Sequence, residues 1–239
     1  MKAFLLAAGR GTRISRMVQE VPKSTLPVAG VPLIARSVEL LQSKGFEVVV
    51  CVGYRQDLIR EALKNFQVTY YYNPFFEVTN SIASLWMARE ELEGEALIMN
   101  ADVYFSRAIL ELIMNDDRDA VLLTDETRCA TGDYFFSVTD NGCIRKYGKE
   151  LPLQLRSCEY VGMAKVSAAF MPRFRERMEK LVNDTKYNLW WENTLYSFTD
   201  EDEHPIHTKD VGGRFWSEID YFDDYERILN HIASKEAKE

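Results

Sequence analysis

The sequence predicts an α/β fold: a doubly wound, mostly parallel sheet with helices on both faces and a small antiparallel extension over a cleft. Two observations predict it. In the first half of the 239-residue chain, apolar β-branched runs alternate with helical patterns, as in parallel strands joined by crossover helices. From about residue 120 the runs become shorter and turn signals separate them, which favours antiparallel strands.

The first strand is predicted at Ala3–Ala7, a short apolar run that suits a buried parallel strand. Pro32 then opens a helical pattern, which Gly45 closes. A β-branched run at Glu47–Val52 completes one βαβ unit. The alternation continues, with helices predicted at residues 56–64 and 81–92 and strands at residues 68–72 and 96–99.

Shorter strands are predicted in the second half of the chain, at residues 119–124, 134–138 and 160–166. Helical patterns at residues 172–182 and 188–198, a strand at residues 204–209 and a final helix from about Tyr221 complete the prediction. Since no internal repeat, low-complexity tract or linker composition interrupts the chain, we expect one domain over residues 1–239.

Composition excludes several classes of protein. With 46% hydrophobic residues, the chain can bury a full core without a stabilising disulfide or structural metal. Its four cysteines are far apart and lack Cys-x-x-Cys spacing, which favours reduced packing residues of a cytoplasmic protein over a disulfide or zinc framework. The net charge of −8 and the scattered basic residues argue against nucleic-acid binding. No apolar stretch reaches membrane-spanning length, so no membrane partner is expected; the oligomeric state stays open.

A glycine-rich loop after the first strand suits the triphosphate of a nucleotide. Gly9 and Gly11 allow backbone N–H groups to approach phosphate oxygens, and Arg13 and Lys23 add two cations. Two common phosphate motifs do not fit. A dinucleotide fingerprint needs a third glycine where the chain has Ile14, and the Gly-Lys-Ser/Thr run of a P-loop does not follow the glycines.

Three segments, at residues 9–13, 22–26 and 30–34, read Gly-Arg-Gly-Thr-Arg, Pro-Lys-Ser-Thr-Leu and Gly-Val-Pro-Leu-Ile. They resemble the signature of the nucleotidyltransferase superfamily that activates sugar 1-phosphates and phosphocholine. The resemblance implies a Rossmann-like sheet, Mg²⁺ as cofactor and transfer of a nucleotidyl group to a phosphomonoester. It also implies a nucleotide-binding half, residues 1–125, and a half that binds the acceptor and completes the metal site, residues 126–239.

The resemblance assigns two catalytic cations and a metal site. Lys23 is expected to bridge the α-phosphate and the incoming phosphate, and Arg13 to hold the β- and γ-phosphates. Asp102 follows a predicted strand, where doubly wound sheets collect their ligands, and matches the metal-binding aspartate of the superfamily. Asp220 lies in a similar Glu-Ile-Asp segment, and Glu218 shares its side of that segment. An aspartate before a helix is also a typical N-cap, so both readings of Asp220 stand.

The base is expected to be cytosine. Residues 79–86 resemble the Asn-x-x-x-Ser-Leu stretch of the phosphocholine cytidylyltransferase branch, and the Gln-Pro-x-Gly segment of hexose 1-phosphate enzymes is missing at this point. Asn80-Ser81 is also a typical helix N-cap. The predicted nucleotide site comprises Leu6, Ala7, Ala8, Gly9, Gly11, Thr12, Arg13, Lys23, Gly53, Tyr54, Asn80, Ser81 and Ala101.

Residues 187–193 resemble the aromatic Trp-Asp-Asn segment by which that branch contacts choline. Aromatic faces bind ammonium groups by cation–π attraction. Because adjacent residues on a helix point about 100° apart, we expect one of Trp190 and Trp191 to be a core residue. The predicted acceptor site comprises Glu159, Gly162, Tyr187, Trp190, Trp191 and Glu192.

The sequence therefore predicts a Mg²⁺-dependent enzyme that transfers CMP from CTP to a small phosphomonoester or phosphonate, with phosphocholine as the leading acceptor. Residues 132–134 and 146–149 also resemble relatives that activate aminoalkylphosphonates or inositol phosphate. Two alternatives remain: a sugar 1-phosphate nucleotidyltransferase, which the missing base segment disfavours, and a nucleotide-sensing module on a degenerate scaffold, which the retained Arg13, Lys23, Asp102 and Asp220 disfavour.

Overall fold

The computed structural model describes residues 1–11, 21–201 and 204–236. The strands of this part of the chain are β1 (Lys2–Ala7), β2 (Pro27–Val28), β3 (Val31–Pro32), β4 (Glu47–Val52), β5 (Val68–Tyr72), β6 (Ala96–Asn100), β7 (Val103–Tyr104), β8 (Ala120–Asp125), β9 (Phe135–Val138), β10 (Ile144–Gly148), β11 (Cys158–Val166), β12 (His207–Asp210) and β13 (Ser217–Glu218). The α-helices are α1 (Leu33–Gln42), α2 (Gln56–Ala62), α3 (Ser81–Met87), α4 (Arg107–Met114), α5 (Met171–Asn183), α6 (Asn193–Asp200) and α7 (Phe222–Glu236).

A nine-stranded sheet organises the fold. Its parallel part has the order β5-β4-β1-β6, so the first strand of the chain lies between two later ones. Strand β11 joins β6 antiparallel and continues the sheet to β8 and to the β9-β10 hairpin, while β12 pairs parallel with β8. The predicted α/β architecture, a mostly parallel sheet with an antiparallel extension, is confirmed. Within the described ranges, no helix is long and apolar enough to cross a membrane.

Successive side chains of β1 enter two different cores because strand side chains alternate between the faces of a sheet. Phe4 packs in the core that α3, α5 and α6 cover. Leu5 packs in the opposite core, which α1, α2 and α4 cover. Burial of both faces explains why the strand reads as a nearly continuous apolar run.

The structure differs from the sequence prediction in three helices. Helix α3 ends at Met87, and a 3₁₀ turn at Arg89–Glu91 replaces its predicted last turn. Helix α4 was not predicted, since a short apolar run carries too little periodicity to be told from a strand. Helix α6 begins at Asn193 and not near residue 188. The Asn193 side chain accepts the Trp190 amide at 3.0 Å, and this local bond holds a turn in place of the predicted first turns of helix.

Candidate active site

The loop after β1 borders a cavity of about 400 Å³ at the end of the parallel sheet. Gly11 has φ 60°, and a Cβ there would lie 2.7 Å from Cγ of Lys23. The aliphatic part of the Lys23 side chain can therefore pack against the loop at this position only because residue 11 is glycine. Thr12 and Arg13 lie outside the described residues. Seven residues of the predicted nucleotide site line this cavity: Leu6, Ala7, Gly9, Gly11, Lys23, Asn80 and Ala101.

Gly53 and Tyr54 support the loop from behind. The Tyr54 amide donates to the Ala8 carbonyl at 3.0 Å. A Cβ on Gly53 would lie 2.6 Å from the same carbonyl and 2.8 Å from Cβ of Phe76. The close approach of residue 53 to Ala8 therefore requires glycine. This contact positions the backbone from which the loop with Gly9 and Gly11 continues.

A smaller cavity of about 190 Å³ adjoins the loop, and Ala8, Asn80 and Ser81 line it. Asn80 Oδ1 accepts the Ser81 amide at 2.8 Å and so caps α3. The N-cap reading is therefore confirmed for Asn80, and contact of Asn80 and Ser81 with the base stays a prediction. Ser81 has a further contact, since its hydroxyl accepts the Trp191 amide at 2.9 Å.

Three carboxylates meet beside the loop. Asp102, Glu218 and Asp220 each offer an oxygen, and these oxygens lie within 4.8 Å of one another. A short antiparallel ladder brings the two segments together: Glu218 pairs with Val103, and the Ile219 amide donates to the Asp102 carbonyl at 3.0 Å. Residues more than a hundred positions apart are thus held by backbone hydrogen bonds.

Lys23 neutralises part of this cluster. Its ammonium donates a hydrogen bond to Asp220 and lies 3.6 Å from the Asp102 carboxylate. Burial lowers the pKa of Lys23, but the neighbouring Asp102 and Asp220 outweigh it, so the net direction is upward. Burial raises the pKa of Asp102 and, together with the other two carboxylates, raises that of Glu218. The site thus holds a charged lysine against crowded carboxylates.

The donor set fits a divalent metal. Among the described residues, one ammonium faces three carboxylates and the converging ligand atoms are all oxygens, which is the set that Mg²⁺ prefers. Asp102, Glu218 and Asp220 would hold the ion. The Asp220 amide donates to Asp224 Oδ2 at 3.1 Å, and the Asp220 carboxylate accepts a hydrogen bond from Lys23.

A third cavity, of about 180 Å³, continues from the carboxylates toward β9 and β11. Glu159, Trp190 and Glu192 of the predicted acceptor site line it, together with Asn100, Tyr134 and Tyr160, which were not predicted. Its volume is well below the range of about 300–1,000 Å³ typical of pockets for drug-sized ligands. The cavity therefore suits a small ligand.

Three predicted acceptor residues do not line this cavity, and a fourth, which does, pairs with an arginine. Trp191 is fully buried in the core and its Nε1 donates to Asn100 Oδ1 at 3.0 Å, so the expectation that its ring contacts the acceptor is wrong. Gly162 is buried with φ 89°, and a Cβ there would lie 2.8 Å from Val103 Cγ2, so it serves the packing of β11. The Tyr187 carbonyl accepts the Asn80 amide, and its ring is 40% exposed. Glu159 lies 2.5 Å from the Arg128 guanidinium.

Glu192 is the buried carboxylate of the third cavity. Burial raises its pKa to about 7, although the Asn100 amide, 3.4 Å away, favours the ionised form. The Tyr160 hydroxyl lies beside it without an aligned hydrogen bond. A cation in the cavity would compensate the cost of ionising this group.

Two known proteins are similar to this chain over most of its length. The chain is 27% identical over 99% of its length to the choline-phosphate cytidylyltransferase of Streptococcus pneumoniae and spans all of it. It is 27% identical over 92% of its length to the CMP-5'-(3-aminopropyl)phosphonate synthase of Streptomyces rubellomurinus, but spans only 37% of that protein.

The fold is also found among solved structures. The CTP:phosphocholine cytidylyltransferase of Streptococcus pneumoniae superposes with a TM-score of 0.80 at 22% identity, covering 97% of this chain and 98% of that one. The family model described as the MobA-like NTP transferase domain matches residues 3–194, which is most of the chain. The chain therefore belongs to the MobA-like NTP transferase family and is a nucleotidyltransferase with cytidylyltransferase relatives.

Proposed function

We propose that the protein transfers CMP from CTP to the phosphate or phosphonate of a small amine-bearing acceptor, with Mg²⁺ as cofactor. One observation carries the proposal: Asp220 and Trp190 line both the cavity of the glycine loop and the third cavity. A triphosphate in the first and an acceptor in the second would therefore meet at the carboxylate cluster, beside Lys23.

The chemistry needs no nucleophilic side chain. An oxygen of the acceptor phosphate attacks the α-phosphorus, a new P–O bond forms, and the bond from that phosphorus to the β-phosphate oxygen breaks. Pyrophosphate leaves with the bonding electrons. Lys23 stabilises the charge that grows on the transferred group, because its ammonium already faces the site. Mg²⁺, when bound by Asp102, Glu218 and Asp220, supplies Lewis-acid stabilisation of phosphate oxygens.

The choice of CTP rests on the sequence of α3 and on the relatives. Asn80 and Ser81 line the smaller cavity with amide and hydroxyl groups that can bond a pyrimidine edge. The named relatives include a choline-phosphate cytidylyltransferase and a CMP-phosphonate synthase. Both names point to a cytidine nucleotide.

The acceptor class rests on the third cavity. Trp190 packs edge-on against Tyr134, with ring centroids 5.6 Å apart. Glu192 supplies a buried carboxylate beside these rings. Aromatic rings and a desolvated carboxylate favour an ammonium group over a neutral sugar. Phosphocholine, phosphoethanolamine and aminoalkylphosphonates all belong to this class.

The test is pyrophosphate release across the four nucleoside triphosphates, each with phosphorylated amines, aminoalkylphosphonates, inositol phosphate and glucose 1-phosphate. We expect CTP with an amine-bearing acceptor to give the highest kcat/KM. Faster turnover with glucose 1-phosphate or inositol phosphate would overturn the acceptor class. Binding of CTP without pyrophosphate release from any acceptor would favour a nucleotide-sensing module.

A further inference from the structure

Lys149 occupies the mouth of the third cavity, directly after β10. Its ammonium lies 5.6 Å from the centroid of the Trp190 ring and pairs with Asp133 at 2.7 Å. Lys149 and Asp133 both line the cavity. The side chain of Lys149 is 33% exposed, whereas Glu192 is 5% exposed. The lysine therefore lies at the outer end of the cavity and Glu192 at the inner end.

This position affects what Trp190 can bind. A quaternary ammonium is attracted by an aromatic ring through the negative potential of its face. A protein ammonium over the same indole already uses that potential and repels a second cation. A trimethylated head would have to displace Lys149 from the ring, whereas an anionic group at the mouth would be attracted to it.

The charges along the cavity differ from one end to the other. Glu159 faces Arg128, and Asp220 faces Lys23. The inner Glu192 instead meets the neutral amide of Asn100. At the outer end, the Lys149 ammonium has three N–H donors, of which the bond to Asp133 uses one.

We propose that Lys149 is a specificity-determining residue that binds a carboxylate on the acceptor, so that the favoured acceptors are zwitterionic phosphorylated amino acids. The acceptor ammonium faces the carboxylates of the cavity, and the acceptor carboxylate accepts hydrogen bonds from the Lys149 donors that no described residue uses. This inference rests on the proposed function and narrows its acceptor class.

The test uses acceptor pairs that differ only by a carboxylate. O-phosphoserine is compared with phosphoethanolamine, and O-phosphohomoserine with 3-aminopropyl phosphate, with phosphocholine as the trimethylated member. For the wild-type protein with CTP and Mg²⁺, we expect kcat/KM to be at least ~10-fold higher for the carboxylated member of one pair, which is the usual scale for one charge-assisted contact.

The variant Lys149→Met should lose this preference through a higher KM for the carboxylated acceptor, whereas kcat/KM for phosphoethanolamine and for phosphocholine, which carry no carboxylate, should not fall. Lys146→Met is the matched control, because Lys146 is an exposed lysine of β10, three residues before Lys149, and it should change none of these values. A wild-type preference for phosphocholine or phosphoethanolamine, or an equal loss on all acceptors in Lys149→Met, would overturn this inference and leave the proposed function intact. No pyrophosphate release from CTP with any phosphorylated amine would overturn the proposed function as well.

Discussion

The ammonium of Lys23 donates a hydrogen bond to the carboxylate of Asp220, a residue 197 positions later in the chain. The bond joins the glycine loop to the segment before the last helix. It holds the cation next to the cavities, so that in the proposed reaction little reorganisation is needed when charge develops on the transferred phosphate.

Replacement of this lysine tests its role in the transition state. Lys23→Ala should lower kcat by ~100-fold or more, the usual scale for a lost charge-stabilising group. The measurement is steady-state pyrophosphate release at saturating CTP and acceptor. Lys44→Ala is a suitable control, since it removes a lysine that pairs with Glu111 away from the cavities. An unchanged kcat in Lys23→Ala would contradict the assignment.

Metal dependence follows from the three converging carboxylates. Asp102→Asn and Asp220→Asn should each remove most turnover without lowering Tm, because each amide keeps the shape and relieves repulsion within the cluster. EDTA should have the same effect on the wild-type protein, and added Mg²⁺ should reverse it. Asp57→Asn, on the exposed start of α2, controls for loss of a carboxylate. Full activity in excess EDTA would refute this prediction.

The adjacent tryptophans should give opposite results. Trp190→Leu is expected to raise the acceptor KM by ~10-fold, with a smaller effect on the KM for CTP and little change in Tm, since the ring is 40% exposed. Trp191→Leu should instead destabilise the protein by roughly 2 kcal/mol or more, because it opens space in the core and leaves Asn100 without its indole donor. Urea unfolding and acceptor kinetics of both variants distinguish these outcomes.

Glu192 should make stability depend on pH. Its pKa is about 7 in the folded protein and near 4.5 when exposed. Between these values the folded state binds a proton that the unfolded state has released, so wild-type stability falls as pH rises through this window. Glu192→Gln has no carboxylate to ionise and lacks this loss of stability. Its free energy of unfolding, relative to that of the wild-type protein, should therefore increase from pH 5 to pH 8 by on the order of 3 kcal/mol. A pH-independent difference in Tm between the two proteins would contradict the expected pKa.

Gly162 should be more sensitive to alanine than a glycine of similar backbone conformation. Gly162 and Gly142 have φ 89° and 70°, but a Cβ on Gly162 would lie 2.8 Å from Val103, whereas one on Gly142 would meet nothing closer than 3.9 Å. Gly162→Ala should therefore cost about 1–3 kcal/mol more than Gly142→Ala in urea unfolding. Equal costs would show that the chain relaxes around the added methyl group.

The site residues that could be assigned from the sequence lie next to a recognisable motif or strand. Lys23 follows the glycine loop, and Asp102 follows an apolar strand, so each could be assigned to the cleft edge without knowledge of distant contacts. The structure brings both to Asp220. The parallel strands were predictable for the same reason, since burial on both faces leaves a continuous apolar run.

The remaining features depend on long-range contacts. Tyr134 lines the third cavity because β9 pairs with β11, and the local sequence does not predict this pairing. The turn before α6 replaced a predicted helix because the side chains of Ser81 and Asn193 accept the backbone amides of Trp191 and Trp190. One of the two tryptophans is a core residue, as predicted, but a turn and not a helix separates their directions.

The ladder between β7 and β13 has a consequence for how members of the family diverge. It sets the spacing of Asp102 and Glu218 through main-chain hydrogen bonds, which are indifferent to side-chain identity. Glu218 and Asp220 line one end of the third cavity, but most of its walls come from other segments, including Asp133, Lys149 and Trp190. Under the proposed function, mutations in these walls can change acceptor recognition without disturbing the register of the carboxylates, so that new acceptors can evolve while the carboxylate cluster stays unchanged.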